Sequence, residues 1–443
     1  MSSQKQHYCN LDIVNDRLIY RYVIAFIWFR ALFRIYLMMR QMRTYRTAVE
    51  IPAPFAAVLD NDIYEIMRQQ SIRRAVYLVA KDMYTSALWT AIIQFGWMAG
   101  LFEISEIITK TPPTKSDDSI FVNLFFIFLN DLILSILGCP LLYYKALLLD
   151  RDHDFNERPL PSYIWDQLRS FLINQFIFLP VCSTALYIIQ MEGSYVFIWL
   201  WLLIGSTTLF ISIVSPSYID PMLDPYKPLP PSDLRNSIEQ MAAKYDFPLV
   251  EVYIEKGDGV STGHGRALLT GVWEYNKIVL YNTKRNAPEG VGCTDEELLA
   301  MVCHELGHWK LNHSSGNILL PQLAVLCQVC VFAAMFRHGP LYIAVGFPPG
   351  RRPIMVGYVA IMELVMAPIN ALIQFLFNMR SRRMEFEADQ FVKAEGYEIA
   401  LKTSLIKIQQ DMLFFPVNDW LFSVWYFTHP TILQRIENLS STG

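Results

Sequence analysis

The sequence predicts a mainly α-helical, polytopic membrane protein that carries one compact polar segment with a small β-sheet. Three observations predict it. Of the 443 residues 53% are hydrophobic and 14% aromatic, and the mean hydropathy is +0.26, too apolar for an ordinary soluble chain. Seven runs are long enough to cross a bilayer core of about 30 Å, which takes about 20 helical residues. They fall near 22–39, 85–104, 119–144, 170–190, 195–215, 317–347 and 354–378. The long stretch between the fifth and sixth runs, 216–316, is polar and mixes helical with strand-like periodicity.

The first run is interrupted by Arg30 and Arg34, which must face the bundle or snorkel to an interface. No uncharged apolar core with a small-residue cleavage site precedes it, so a cleavable signal is not expected. The segment after it carries Arg40, Arg43, Arg46, Arg68, Arg73, Arg74 and Lys81. The 105–118 loop has only Lys110 and Lys115 against Glu106, Asp117 and Asp118. The bias of Lys and Arg toward cytoplasmic loops puts the first loop in the cytosol. By alternation the 145–169 loop, the 216–316 segment and the tail that begins Arg380, Arg382, Arg383 are cytosolic too. Arg337, Arg351 and Arg352 run against this rule on the lumenal side. The expected organisation is 1–215, five membrane helices with their loops; 216–316, the cytosolic polar segment; 317–378, two more membrane helices; and 379–443, a C-terminal segment.

Within the polar segment a proline-rich turn, "DPMLDPYKPLPP", leads to an amphipathic helix near Leu234–Tyr245. Strand-like runs follow at Val250–Ile254 and Ile278–Tyr281, and "GVWEYNKIVLY" reads as two short strands around a turn at Glu274–Lys277. Thr294 and Glu297 have capping-box spacing, so a helix starts there and runs through "MVCHELGHWKLNH".

On that helix His304 and His308 are i and i+4, so both imidazoles project from one face and can grip one ion, with Glu305 beside them. Zinc suits such a site, because it accepts nitrogen and oxygen ligands and with three protein ligands keeps one position for water. An adjacent carboxylate can then take the proton of a water whose pKa has dropped to about 7. The third ligand is expected from "RSRRMEFEADQFVKAEGY", a helical stretch past the last run. Glu385 and Asp389 share a face there, whereas Glu387, about 200° around the helix from Glu385, points elsewhere. Glu363, inside the seventh run, is a rival ligand. His313, about 180° around a continuing helix from His304, and His338, in the opposite loop, are not expected on the metal. His429, in a His-Pro with Arg435 six residues on, reads equally as an exposed loop histidine and as a catalytic one.

The net charge of −4, the pI near 6.1 and the scattered basic residues give no attraction to nucleic acid. Seven cysteines at irregular spacing, several of them inside apolar runs, form no disulfide framework, and Cys327 with Cys330 reads as helix packing. Nothing in the composition bears on oligomeric state.

"HELGH" and "RRMEFEAD" separated by two apolar runs, together with "NDWLFSVWYFTHP", resemble the type I CAAX prenyl endopeptidases, membrane zinc metalloproteases of the gluzincin kind. "RQMRTYRT", "HDFNERPLP", "YIIQMEGSYVFIWLWL", "YIDPMLDPYKPLP" and "YDFPLVEVYI" match the family's pattern in place, so the resemblance covers nearly the whole chain. It implies seven helices around an intramembrane chamber and a cytosolic metalloprotease segment. His304, His308 and Glu385 would hold one zinc ion and Glu305 would activate water. Asp389 would orient a ligand or support proton transfer, and His429 and Arg435 would stabilise the oxyanion or position substrate. Asn123, Asn130, Asp131 and Glu363 would face the chamber or hydrogen-bond between helices. The implied partners are prenylated proteins ending in Cys-aliphatic-aliphatic-X, cut after the cysteine, and membrane lipid. The implied location is the endoplasmic reticulum or nuclear envelope, with the active site toward the cytosol. The strand near Ala267–Thr270, including Ala267 and Leu268, could align the peptide. One departure stands out: the resemblance leads us to expect asparagine where this chain has Arg266.

Other readings use the same residues. A membrane quality-control metalloprotease would share the chemistry but cut unmodified membrane proteins. A noncatalytic paralogue or scaffold would have no need of Glu305. A transporter fits least, since the chain shows no internal repeat and devotes a large segment to polar structure.

Overall fold

The computed structural model of the chain describes residues 2–148, 160–191, 193, 195–214, 226–255, 267–272, 275–280, 293–412 and 414–441. The principal helices in chain order are α1 (Ser2–Thr47), α2 (Asn61–Gln94), α3 (Trp97–Thr109), α4 (Ile120–Leu148), α5 (Leu160–Gln190), α6 (Val196–Val214) and α7 (Asp233–Lys244). They continue as α8 (Asp295–Lys310), α9 (His313–Met335), α10 (Ile354–Ala360), α11 (Ala367–Ala394), α12 (Glu398–Met412), α13 (Trp420–Tyr426) and α14 (Ile432–Ser440). Four strands, β1 (Tyr226–Pro228), β2 (Leu249–Glu255), β3 (Ala267–Val272) and β4 (Tyr275–Leu280), form one sheet.

Each of the seven apolar runs is helical over most of its described residues. Ile19–Thr47, Ile120–Lys145, Tyr163–Gln190 and His313–Met335 are each long and apolar enough to cross a membrane, and Val196–Ser212 is a shorter apolar helix. The other two runs lie on bent pairs, α2 with α3 at 64° and Ile354–Val365 with α11 at 56°. The sequence pattern runs straight through both bends. The first falls at Gly96, whose φ of 59° ends one helix and opens the next. The second follows a π turn at Ile361–Val365, closed by the Met366 N–H on the Ile361 carbonyl at 2.8 Å. Pro368 stands just beyond it and cannot supply the N–H that a straight helix needs. The sixth run also ends early, because Gly339 and Pro340 close α9 at Met335.

The chain divides into two compact units. The first comprises Met1–Met38, Val76–Ser206 and Gln322–Leu372. Its core includes Phe102, Phe126, Leu186, Tyr342, Val356 and Ile361, with Phe102 in edge contact with Phe126 at 5.8 Å and with Phe347 at 5.9 Å. Its outside is apolar as well: Phe121 and Phe176 are 78% and 83% exposed, a surface suited to lipid rather than water.

Polar groups inside this unit bond to one another, which favours helix packing over a water-filled lining for Asn123 and Asp131. Asn123 accepts from the Met355 N–H at 2.9 Å and donates to the Asp117 carbonyl at 2.8 Å, and Gln175 donates to Asp131 at 3.2 Å. Arg351, one of the cations that run against the charge rule, donates to Glu106 at 2.6 Å and Asp117 at 2.7 Å. Its charge is therefore neutralised by the acids of the 105–118 loop.

The second unit comprises Met39–Ala75, Thr207–Pro321 and Ile373–Gly443. Its sheet has the order β1-β2-β4-β3, with β1 antiparallel to β2, β2 parallel to β4 and β4 antiparallel to β3. The register pairs Val252 with Ile278 and Leu269 with Ile278, so their buried faces stack with Leu298, Val302 and Leu306 of α8 and Leu401 of α12. β4 begins at Tyr275, within the stretch expected to turn, and positions 273–274 lie outside the described residues.

A second core of Phe55, Leu59, Tyr64, Met67, Phe415 and Ile436 ties the first polar segment to the chain's C-terminal part. Two of the stretches that carry the resemblance meet there. Arg40 donates to Asp419 at 2.9 Å, Gln41 donates to Asn418 at 2.8 Å, and Asp419 caps the first turn of α13.

Candidate metal centre

The site is built on α8 and α11. Thr294 and Glu297 form a capping box, and Asp295, Glu296 and Glu297 fill a first turn where negative charge meets the positive helix end. Lys407 donates to Glu297 at 2.8 Å and fastens α12 to this turn. α8 stops after the two histidines, where Asn312 takes a left-handed φ of 56° and the chain reverses into α9. Gly307 lets α11 approach: a Cβ there would lie 3.1 Å from the Phe391 ring. A Cβ there would require the Phe391 ring to shift by a few tenths of an ångström, so glycine suits the close packing of α11 on α8.

His304 Nε2 lies 3.3 Å from His308 Nε2, and the Glu385 carboxylate lies 3.4 Å from each of these nitrogens. Two ligand atoms on a tetrahedral ion with bonds of about 2.0–2.1 Å stand about 3.4 Å apart, so the donor set fits zinc. Among the described residues these three form the group whose ligand atoms converge closely enough to hold an ion. Glu363 is not among them.

Behind these three stands a layer of charge. Asp389, with no exposed surface, is 3.1 Å from His304 Nδ1. Arg435, on α14, holds Asp389 with two hydrogen bonds, 2.9 Å from Nε and 2.6 Å from Nη2, and reaches Glu385 at 3.3 Å. A carboxylate on Nδ1 leaves Nε2 of His304 turned toward His308 and Glu385. Arg435 is buried behind these three residues and engaged by both carboxylates.

Burial and the nearby Arg435 press His304 toward its neutral form. The hydrogen bonds of Asp389 and Glu385 outweigh them, and its pKa is pushed up to about 9. The same negative field that holds a proton there favours a divalent cation in its place. Burial raises the pKa of Glu305, with the neighbouring histidines acting in the opposite sense. Glu305 and His308 are half-buried, so this face is open to water.

His429 is 64% exposed in its side chain, yet its Nε2 lies 3.3 Å from Glu385. Arg382, which sequence reasoning passed over, fixes this loop: buried within α11, it donates to the His429 carbonyl at 3.1 Å, Ser423 at 3.1 Å and Gln434 at 2.8 Å. His313, as expected, is not among the three converging residues, but it is nearer to them than the sequence suggests. Because α8 stops at Lys310, His313 is not half a turn away on the same helix. It heads α9 and returns its Nδ1 to 2.9 Å from His308 Nδ1, with its Nε2 3.2 Å from Glu387. Asn312 followed by His-Ser-Ser-Gly was the available stop signal.

Ala267 and Leu268 lie on β3, which among the described residues forms one edge of the sheet and packs against α8. The Ala267 side chain is buried in the core, so the strand offers its backbone. Arg266 lies outside the described residues.

Residues 41–225 match the family described as CAAX prenyl protease N-terminal, five membrane helices, and residues 228–443 match Peptidase family M48. The chain is 32% identical to the mouse CAAX prenyl protease 1 homolog over 97% of each chain, and 31% identical to the human one over 96% of each. It superimposes on the crystal structure of S. mikatae Ste24p with a TM-score of 0.82 over 95% of this chain and 99% of that one, at 23% identity, and so shares its fold.

Proposed function

Since the chain belongs to the CAAX prenyl protease 1 branch of peptidase family M48, we propose that it is a zinc endopeptidase that removes the C-terminal tripeptide from prenylated CAAX proteins. The observation that carries the reading is the convergence of His304, His308 and Glu385 at separations of 3.3–3.4 Å with Glu305 beside them. These three residues would hold the zinc. A zinc ion supplies Lewis acidity, which makes a neighbouring water acidic near neutral pH.

The chain's own groups do the rest. Glu305 accepts the proton of the attacking water and returns it to the leaving amine, so the bond after the prenylated cysteine breaks without a free charged amide. Asp389 and Arg435 keep His304 in one tautomer, and His313 does the same for His308. His429, exposed beside Glu385, is placed to donate to the oxygen that gains charge as the carbonyl is attacked. The free edge of β3 supports backbone pairing with an extended peptide beside α8. Arg266, directly ahead of that strand, brings a fixed charge and five donors where an asparagine is expected, which favours retained but altered turnover.

A membrane enzyme suits this substrate. Each buried CH₂ of a lipid chain contributes about 0.8 kcal/mol, so the prenyl group stays among apolar helices while the scissile peptide bond meets the metal. The loop charges support a cytosolic active site, the side on which prenylation occurs, and the family supports residence in the endoplasmic reticulum or nuclear envelope. The test is incubation of purified protein with a farnesylated C-terminal peptide and its unprenylated counterpart, with and without a zinc chelator. Chelator-sensitive release of the tripeptide from the farnesylated peptide is expected. Equal cutting of unmodified membrane polypeptides would favour a quality-control protease.

A further inference from the structure

A cavity of about 290 Å³ opens beside the metal centre, between the start of α9 and the middle of α11, and the reading above does not use it. It borders the site on two sides. Thr428 lines it and lies 2.9 Å from His429 Nδ1. Opposite, Arg380 donates to the carbonyl of His313, whose ring contacts His308.

Its lining is sharply composed. Leu320, Pro321 and Phe377 give it apolar wall, Gln374 and Asn378 give it amides, and Arg380 is its one charged residue. A cavity with one guanidinium and no carboxylate in its lining selects an anion.

Arg380 is also set in place. Its Nη1 donates to Asn317 at 2.7 Å, and its guanidinium lies across the α9 backbone at Gly316, where a Cβ would come within 2.0 Å of Nη2. The glycine leaves the room that this arginine occupies. The three arginines of "RSRR" thus diverge: Arg382 holds the His429 loop, Arg383 pairs with Glu387 at 2.8 Å, and Arg380 faces the cavity.

The geometry points to this cavity as the receptor for the substrate's C-terminal residue, with Arg380 binding the free α-carboxylate of the tripeptide that leaves. The inference rests on the proposed reaction and adds to it the group by which the enzyme measures the distance from chain end to scissile bond. Three extended residues span about 10 Å. The cavity adjoins the site through Thr428, which contacts His429, and through Arg380, which reaches the carbonyl of His313. Apolar wall beside a cation fits two aliphatic residues ending in a carboxylate.

The test compares a farnesylated CAAX peptide bearing a terminal carboxylate with the same peptide ending in a carboxamide, on wild-type protein, Arg380→Gln and Arg380→Lys. One charge-assisted pair sets an expected preference for the acid of about 10-fold in kcat/KM, carried by KM. Arg380→Gln should slow the acid about 10-fold more than the amide, erasing the preference, and Arg380→Lys should restore part of it. Acid and amide cut equally by wild type, or both slowed alike by Arg380→Gln, would overturn the inference.

Calorimetric binding of the free aliphatic tripeptide, as acid and as amide, reads the cavity without turnover. If no farnesylated peptide is cut, the proposed reaction fails, and tripeptide binding still decides the cavity. Tighter binding of the acid that Arg380→Gln abolishes supports it, and equal binding of acid and amide refutes it.

Discussion

His313 Nδ1 lies 2.9 Å from His308 Nδ1, although the two residues stand on different helices. In the tautomer that leaves Nε2 of His308 for a metal, its Nδ1–H would donate to His313 Nδ1, and His313 Nε2–H would donate to Glu387, 3.2 Å away. Such a relay, ending in a carboxylate, would orient His308 as a ligand. His313→Ala should weaken zinc affinity by about 10- to 100-fold, the usual scale for losing such a partner. Competition with a calibrated chelator measures it, and unchanged affinity would remove His313 from the site.

Glu385 and Glu387 sit two residues apart and face different histidines. Glu385→Ala removes a ligand and should empty the site, whereas Glu387→Ala only loosens the relay and should leave most of the metal bound. Zinc content of the two purified variants separates them. Equal loss in both would mean that the ligand set is wrong, and an empty site in Glu363→Ala would reassign the third ligand.

Arg435 and Asp389 form a buried, two-pronged pair. Arg435→Met leaves a buried carboxylate without its cation, a loss of about 3–5 kcal/mol, and should lower the melting temperature together with activity. Replacing both, Arg435→Met with Asp389→Leu, should recover much of the stability and none of the activity. Recovery of activity would show that the pair serves packing alone.

Cytosolic placement of the metalloprotease segment is tested by labelling. A cysteine introduced at Lys284 should react with an impermeant thiol reagent in sealed microsomes. Labelling only after permeabilisation would reverse the topology and remove access to prenylated substrate.

Local chemistry made much of this molecule legible. The apolar runs, the Thr294 capping box, the i, i+4 histidines and the shared face of Glu385 and Asp389 are short-range patterns, each fixed by helical periodicity. Features that depend on where a helix stops or bends were not legible in the same way. Extending α8 past Asn312 sent His313 to the wrong face, because a left-handed residue resets the rotation that periodicity assumes. The bends at Gly96 and Pro368 escaped notice because hydropathy continues unbroken across them. Arg380 and Arg382 read as loop-end charges under the charge rule. Their separate tasks depend on α9 and the 423–434 loop, which lie far off in sequence.

The most direct test of the account is metal content and tripeptide release measured together on Glu305→Gln. The substitution removes the proton acceptor and touches none of the three ligands. The account predicts protein with one zinc per chain and turnover of the farnesylated peptide reduced by at least about 100-fold. Near-normal release of the tripeptide from zinc-loaded Glu305→Gln would contradict it.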